Sequence, residues 1–124
     1  MTARILIADD EPHIVESLKF LFEHQGYQVT SAGDGRQALE MLERVRPDLL
    51  VLDAMMQHHS GFDVLKLMRA DPNFRTVKVL MLTAKGRDSD KQLALELGAD
   101  HYIAKPYANR DVIAAVSELL QAGD

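Results

Sequence analysis

Short apolar runs alternate with amphipathic stretches five times along the chain. The apolar runs have the length of β-strands and lie at 5–8, 27–32, 49–52, 77–82 and about 99–104. After each run, apolar residues recur at intervals of three and four, which is typical of a helix with one buried face. This strict alternation predicts an α/β fold in which a parallel sheet carries helices on both faces.

Residue types that favour helix ends mark the boundaries of the predicted helices. Proline suits the first helical position, glycine readily adopts the backbone that ends a helix, and Asp or Asn caps a helix start. The boundaries are therefore predicted at Pro12 and Gly26, at the 33–35 turn and Pro47, before Asp71, at 88–90 and Gly98, and from Asn109. The residues with helical spacing are Ile14, Leu18, Leu21, Phe22, Ala38, Leu42, Val45, Phe62, Leu65, Met68, Leu93, Leu97, Val112, Ile113, Val116 and Leu120.

The polarity of the five strands predicts their order in the sheet. The first, third and fourth runs are almost wholly apolar, as expected for strands buried on both faces. The second and fifth runs include polar residues, which is typical of edge strands. Edges at strands two and five predict a flavodoxin-like, doubly wound, five-stranded sheet with the order 2-1-3-4-5. In that fold ligands bind beyond the carboxyl ends of strands one and three.

Composition narrows the class of protein. A chain of 124 residues is predicted to form one domain over 1–124. The net charge of -5 argues against direct binding of this domain to nucleic acid or to an anionic membrane. The lack of cysteine excludes disulfides and thiolate metal sites. The first apolar run is too short for a signal peptide and no run reaches membrane-spanning length, so we expect a cytoplasmic location.

Polar side chains that can support phosphoryl chemistry follow the strand ends. Asp9 and Asp10 follow the first run, Asp53 the third, Thr83 the fourth and Lys105 the fifth. Each alone has a simpler interpretation, such as a capping aspartate, a β-branched strand residue or a surface lysine. Together, at one sheet edge, they indicate a Mg²⁺ site at which the Asp53 carboxylate attacks phosphorus. Lys105 would pair with a carboxylate at rest and with phosphoryl oxygens afterwards.

These residues, in this order, resemble the receiver domain of bacterial two-component response regulators, including single-domain chemotaxis-type regulators. The resemblance covers essentially the whole chain. It implies that Asp9 and Asp10 form a metal-binding acidic pair and that Asp53 is both a metal ligand and the phosphoacceptor. It also implies that Met55 offers its backbone carbonyl to Mg²⁺.

The same resemblance assigns the residues that respond to phosphorylation. Thr83 would be the switch hydroxyl, Tyr102 the switch aromatic residue, and Lys105 the lysine typical of the family. Pro106 is expected to follow a cis peptide bond. Thr83 and Lys105 would also assist the chemistry at Asp53.

The function implied is that of a phosphorylation-activated signalling switch. A histidine kinase or histidine phosphotransfer protein would donate the phosphoryl group, and the surface of helix four, strand five and helix five would change. That surface would control a downstream effector protein or a covalently attached output domain, and the domain can dimerise on phosphorylation. No enzyme activity is expected beyond slow autodephosphorylation. The printed sequence contains no output domain, which leaves open whether it is free-standing or the front part of a longer regulator.

The loop after Asp53 departs from the family pattern. The family typically has Met-Pro-x-x-Asp-Gly, whereas residues 56–61 read Met-Gln-His-His-Ser-Gly, so Gln57 replaces the proline and Ser60 the aspartate. His58 and His59 are favoured as residues of a solvated loop rather than metal ligands, because no third ligand is evident. The shape of this loop is left open.

Two other classes of protein remain as alternatives. An aspartate-based, Mg²⁺-dependent phosphatase of the haloacid dehalogenase type would require a second aspartate where Met55 stands. A non-phosphorylated flavodoxin-like binding module would require a glycine-rich phosphate loop after strand one, where 9–12 reads Asp-Asp-Glu-Pro.

Overall fold

Five parallel strands and five helices make up the part of the chain that the computed structural model describes, residues 2–56, 58–84 and 88–122. In chain order the elements are β1 (Arg4–Ala8), α1 (Pro12–His24), β2 (Gln28–Ala32), α2 (Gly35–Val45), β3 (Leu49–Asp53), α3 (Gly61–Ala70), β4 (Lys78–Ala84), α4 (Asp88–Glu96), β5 (His101–Lys105) and α5 (Asn109–Ala122).

The strand order is β2-β1-β3-β4-β5, which confirms the prediction. Every residue of the central strand β3 is buried, whereas no residue of the edge strand β5 is fully buried. The register places Ala8 opposite Leu52 and Asp53 opposite Leu82. The carboxyl ends of β1, β3 and β4 therefore meet at one edge of the sheet.

The sheet separates two hydrophobic cores. Ile5 and Ile7 point to the core formed with α1 and α5, which contains Leu18, Phe22, Val112 and Val116. Leu6 and Ala8 point to the core formed with α2, α3 and α4. Alternate residues of a strand point to opposite faces, so an apolar strand such as β1 contributes to both cores.

Local signals account for most helix ends. Pro12 occupies the start of α1, as predicted, and Gly26 and Gly98 follow α1 and α4 with φ of 95° and 105°. The Asp34 side chain caps α2 by accepting the Gln37 N–H at 2.8 Å. The left-handed residue that ends α2 is Arg46, with φ of 52°, one position before the predicted Pro47.

The structure corrects two details of the sequence interpretation. Leu93, which helical spacing placed with Leu97 among the apolar residues of the fourth helix, is 38% exposed. Asp90 and Ala94 are buried instead, because the side of α4 that carries them faces the sheet. Thr83 lies inside β4 rather than after it, since pairing with β5 continues to Ala84 and Lys105.

No helix in the described residues is both long enough and apolar enough to cross a membrane.

Truncation of Phe22 tests the core under α1. Phe22 is fully buried whereas Phe20, on the same helix, is 72% exposed. We expect Phe22→Ala to lower the free energy of unfolding by about 3–5 kcal/mol and Phe20→Ala to change it by less than about 0.5 kcal/mol. Urea unfolding followed by circular dichroism measures both. Equal losses for the two variants would contradict the packing described here.

Candidate functional site

Four carboxylates converge at the carboxyl ends of β1 and β3. They belong to Asp9, Asp10, Glu11 and Asp53, and one oxygen of each lies within 4.8 Å of the others. Asp9 and Asp53 are buried, whereas Asp10 is exposed. The structure thus brings together the three aspartates singled out in the sequence and adds Glu11 to them.

Backbone groups hold the two buried carboxylates in place. Oδ1 of Asp9 accepts the backbone N–H of Glu11 at 2.9 Å, and the N–H of Asp9 donates to the carbonyl of Ala32 at 3.2 Å. Oδ1 of Asp53 accepts the backbone N–H of Met55 at 3.2 Å. Each carboxylate therefore has one oxygen tied to the backbone and one turned toward the crevice.

Lys105 supplies the positive charge of the site from the last residue of β5. Its Nζ lies 2.9 Å from Oδ2 of Asp9, 3.2 Å from Oε1 of Glu11 and 3.5 Å from Oδ2 of Asp53. Burial on its own would lower the pKa of Lys105, but the hydrogen bond to Asp9 and the nearby carboxylates raise this pKa above its ordinary value. The side chain is therefore a permanent cation at neutral pH.

Negative charge exceeds positive charge around Asp53. Burial and the charge of Asp9 raise the pKa of Asp53, while Lys105 and the Met55 N–H lower it, and the balance raises it from 3.8 to about 6. A cation among the carboxylates would remove this penalty. The donors are all oxygen atoms, and the exposed side of the cluster leaves room for water. This set fits Mg²⁺, which prefers oxygen ligands and keeps several waters.

Thr83 presents a buried hydroxyl beside the site. Its side chain is 1% exposed, and Oγ1 has no hydrogen-bond partner among the described residues. The residue before it, Leu82, lies opposite Asp53 in the sheet. A buried hydroxyl without a partner is unfavourable by about 1–3 kcal/mol. Its role in the response to phosphorylation stays a prediction.

Tyr102 and Met55 lie outside the group of four carboxylates. Tyr102 is half-buried in β5, packs against the core of α2, α3 and α4, and has the Nζ of Lys91 5.2 Å from its ring centroid. It does not join the carboxylates. Met55 is 54% exposed, and its backbone N–H donates to Asp53. The assignment of its carbonyl as a metal ligand stays a prediction.

The loop between β3 and α3 is anchored despite its unusual sequence. Ser60 caps α3 by accepting the Asp63 N–H at 3.2 Å, a role that the aspartate of the family pattern would also suit. His58 has a left-handed backbone, with φ of 70°. Neither His58 nor His59 joins the metal-binding group found among the described residues. Gln57, and Lys85 in the segment after Thr83, lie outside the described residues.

Two glycines allow this loop to pack closely. A Cβ on Gly61 would lie 2.2 Å from the carbonyl oxygen of Asp53, and a Cβ on Gly35 would lie 2.2 Å from that of His59. Close backbone contact thus joins the loop to Asp53 on one side and to α2 on the other.

The peptide bond between Lys105 and Pro106 is cis, as expected.

Glu11 is the residue of the site that the sequence interpretation missed. In the sequence it belongs to the acidic run at 9–11, and the sequence pattern assigns no role to it. Its position directly before Pro12, at the start of the first helix, was the available signal. Contact with Lys105, which is 94 residues away along the chain, is visible only in the structure.

Comparison with protein families and known sequences gives a consistent result. The family model of the response regulator receiver domain matches residues 5–117. The chain is 43% identical, over 124 residues, to the alkaline phosphatase synthesis transcriptional regulatory protein PhoP of Bacillus subtilis, covering 100% of this chain and 51% of PhoP. It is 41% identical, over 119 residues, to the sensory transduction protein RegX3 of Mycolicibacterium smegmatis, covering 96% of this chain and 51% of RegX3. The chain spans about half the length of the curated relatives it matches.

Solved structures show the same similarity. A putative response regulator from Chloroflexus aurantiacus matches with a TM-score of 0.94 and 32% identity, covering 98% of this chain and 99% of that one. The chemotaxis protein CheY4 of Vibrio cholerae matches with a TM-score of 0.89 and 27% identity, covering 96% of this chain and 99% of that one.

Neutralisation of Asp53 tests the charge imbalance. The pKa of Asp53 is raised to about 6 in the folded protein, so the fold favours the protonated carboxyl over the ionised carboxylate. The stability that protonated Asp53 contributes is complete below about pH 4 and is lost as the pH rises through 6. Without metal at pH 7.5, we expect Asp53→Asn to be more stable than the wild type by about 1–3 kcal/mol. The difference should shrink toward zero near pH 4. Urea unfolding in a chelator at both pH values measures it, and a less stable variant at pH 7.5 would contradict the argument.

Addition of a methyl group at Gly61 tests the close backbone approach. The new Cβ would overlap the Asp53 carbonyl, so we expect Gly61→Ala to lower the free energy of unfolding by about 2–3 kcal/mol. Gly33→Ala is the matched control, since its Cβ would meet only the Gln37 side chain at 3.5 Å. Thermal unfolding of both variants decides the point, and equal melting temperatures would refute it.

Proposed function

The chain belongs to the response regulator receiver domain family, and we propose that it is a signalling switch in which Asp53 accepts a phosphoryl group. The observation that carries the proposal is the buried Asp53 carboxylate, which lies among other carboxylates with the Lys105 ammonium 3.5 Å away. A carboxylate can attack phosphorus to form an acyl phosphate. We place the receiver domain at residues 1–124.

The proposed reaction moves one phosphoryl group between two proteins. The donor is a phosphorylated histidine of a histidine kinase or phosphotransfer protein. An oxygen of Asp53 forms the new bond to phosphorus as the bond from phosphorus to the histidine nitrogen breaks, and the histidine keeps that electron pair. Slow hydrolysis by water later returns Asp53 to its carboxylate. The domain performs no other turnover.

Residues of this chain prepare Asp53 for the transfer. Asp9, Asp10, Asp53 and the Met55 carbonyl would hold Mg²⁺. When bound, this ion would supply positive charge that offsets the negative charge of the phosphoryl oxygens. Lys105 orients the acceptor at rest and pairs with phosphoryl oxygens after transfer. The role of Asp9 is supported by its burial, and the roles of both residues are supported by the 2.9 Å contact between them.

Thr83 and Tyr102 would carry the signal from the site to the surface. The Thr83 hydroxyl is buried and has no partner among the described residues, so a phosphoryl oxygen on Asp53 is a favourable acceptor for it. Its movement toward Asp53 opens space in which the half-buried Tyr102 changes rotamer. The surface of α4, β5 and α5 is then the surface that changes.

The partners are proposed by analogy with the relatives. PhoP is named a transcriptional regulatory protein, and a further relative, 39% identical over 124 residues, is named the DNA-binding response regulator MtrA of M. smegmatis. We propose that the switch controls an attached output domain or a separate effector, and that phosphorylation can drive dimerisation. Direct contact of this domain with nucleic acid is not part of the proposal. A cytoplasmic location stays a prediction.

Intact mass spectrometry tests the proposal. Incubation with acetyl phosphate and Mg²⁺ should add the mass of one phosphoryl group to the wild type and none to Asp53→Asn, because the attacking oxygen is lost. Asp63→Asn is the matched control, since Asp63 is an exposed aspartate in the first turn of α3, and it should keep the adduct. A chelator should abolish the adduct in the wild type and in Asp63→Asn.

Two results would contradict this function. One is the lack of an adduct on the wild type with both acetyl phosphate and a competent histidine kinase. The other is steady turnover of a generic phosphate ester, which would favour a phosphatase instead.

A further inference from the structure

Glu11 takes one of the two hydrogen bonds that the Lys105 side chain makes to carboxylates in the described structure. Nζ of Lys105 donates to Oδ2 of Asp9 at 2.9 Å and to Oε1 of Glu11 at 3.2 Å. Its contact with Asp53 is longer, an ion pair at 3.5 Å. The ammonium is therefore directed toward Asp9 and Glu11 more than toward the phosphoacceptor.

The backbone of Glu11 is fixed while its side chain remains accessible to water. Its backbone N–H donates to Oδ1 of Asp9 at 2.9 Å, and Glu11 is itself the N-cap residue of α1, directly before Pro12. The side chain of Glu11 makes no capping hydrogen bond to the first turn of α1, so it is free to reach Lys105. One carboxylate oxygen faces Lys105, and the other lies 3.5 Å from Nε2 of the exposed His13. The side chain therefore bridges Lys105 and the surface.

The geometry points to Glu11 as a positioning residue that holds Lys105 back from Asp53 while Asp53 is unphosphorylated. This inference rests on the proposed function, because it describes what the same site does before the transfer. Phosphoryl oxygens on Asp53 are strong, charged acceptors for an ammonium group. Lys105 would then exchange one of its carboxylate partners for the phosphoryl group.

Burial decides which partner is released. The Asp9 side chain is 0% exposed and that of Glu11 is 46% exposed. A carboxylate without a partner is unfavourable inside the protein but is hydrated at the surface. Glu11 is therefore the contact that opens, and Asp9 keeps its bond to Lys105. Glu11 acts through Lys105 and does not touch the reacting atoms.

Removal of the Glu11 contact should favour the phosphorylated form. Ion pairs with a half-exposed partner are weak, so we expect Glu11→Ala to tighten binding of a phosphoryl mimic by about two- to five-fold. Glu11→Gln keeps an oxygen acceptor without the charge and should give a smaller increase. The affinity for Mg²⁺ is measured separately, and the mimic is compared at saturating Mg²⁺, because Glu11 lies within 4.8 Å of the other carboxylates and its charge also acts on the cation.

Isothermal titration calorimetry separates these effects. The probe is beryllium trifluoride at saturating Mg²⁺, which imitates a phosphoryl group on aspartate, and Mg²⁺ alone is titrated in parallel. The initial rate of labelling by acetyl phosphate should rise together with the affinity for the mimic. If Glu11 had a purely structural role, Glu11→Ala would change the melting temperature but would change neither the affinity for beryllium trifluoride nor the labelling rate.

Glu16→Gln is the matched control for charge. Glu16 is exposed on α1 and lines a groove with Asp9 and Asp10, while the Lys105 contacts described above do not include it. Its removal changes the net charge near the site by the same amount. We expect its affinity for beryllium trifluoride to match that of the wild type.

Each of the following results would overturn the inference. Equal tightening in Glu16→Gln would show a general charge effect, and loss of Mg²⁺ binding in Glu11→Ala even at high Mg²⁺ concentration would make Glu11 a metal ligand. Unchanged binding of the mimic in Glu11→Ala would leave Glu11 without this role. A wild type that binds no beryllium trifluoride with Mg²⁺ and gains no phosphoryl adduct would overturn the proposed function itself, which is a separate outcome.

Discussion

An excess of negative charge in a partly buried crevice is the constraint on which the site depends. Four carboxylates lie together, and the ammonium of Lys105 is the positive group in contact with three of them. Burial and the charge of Asp9 keep the pKa of Asp53 raised to about 6 even beside that ammonium. Such a site is sensitive to any charge that enters, because the groups are too close and too dry for water to screen them fully. A divalent cation would relieve the excess, and under the proposed function a phosphoryl group would redistribute the partners of Lys105.

Rigid packing holds this charge in place on one side of the sheet. Asp53 ends a fully buried strand, and Gly61 brings the start of α3 against its carbonyl. The opposite side is less constrained. Every residue of β5 is at least partly exposed, and the core face of α4 includes Asp90 beside Ala94. Under the proposed function, a buried Asp53 next to a partly exposed edge strand is an arrangement in which a small change at Asp53 can reach the surface.

Much of the site was predictable because it lies at the ends of elements that local patterns predict. The polarity of the edge strands gave the strand order, and this order placed Asp9, Asp10 and Asp53 at one crevice. Other features were not predictable in this way. Leu93 lost its expected burial because the rotation of α4 depends on its contacts with the sheet. Thr83 lies within β4 because β5 extends the pairing. Ser60 proved to be the N-cap of α3, so the start of this helix is capped although the family's aspartate is absent.

The sequence by itself determined the alternation of strands and helices, the central and edge strands, the helix ends and the crevice where the acidic residues meet. These features follow from side-chain polarity and local backbone preference, which act over a few residues. Tertiary structure alone decided that Lys105 is shared by Asp9, Glu11 and Asp53, that the pKa of Asp53 is raised, and that the Thr83 hydroxyl is left without a partner among the described residues. Each of these depends on distances of a few ångströms between residues far apart in the chain, and on the exclusion of water from the space between them.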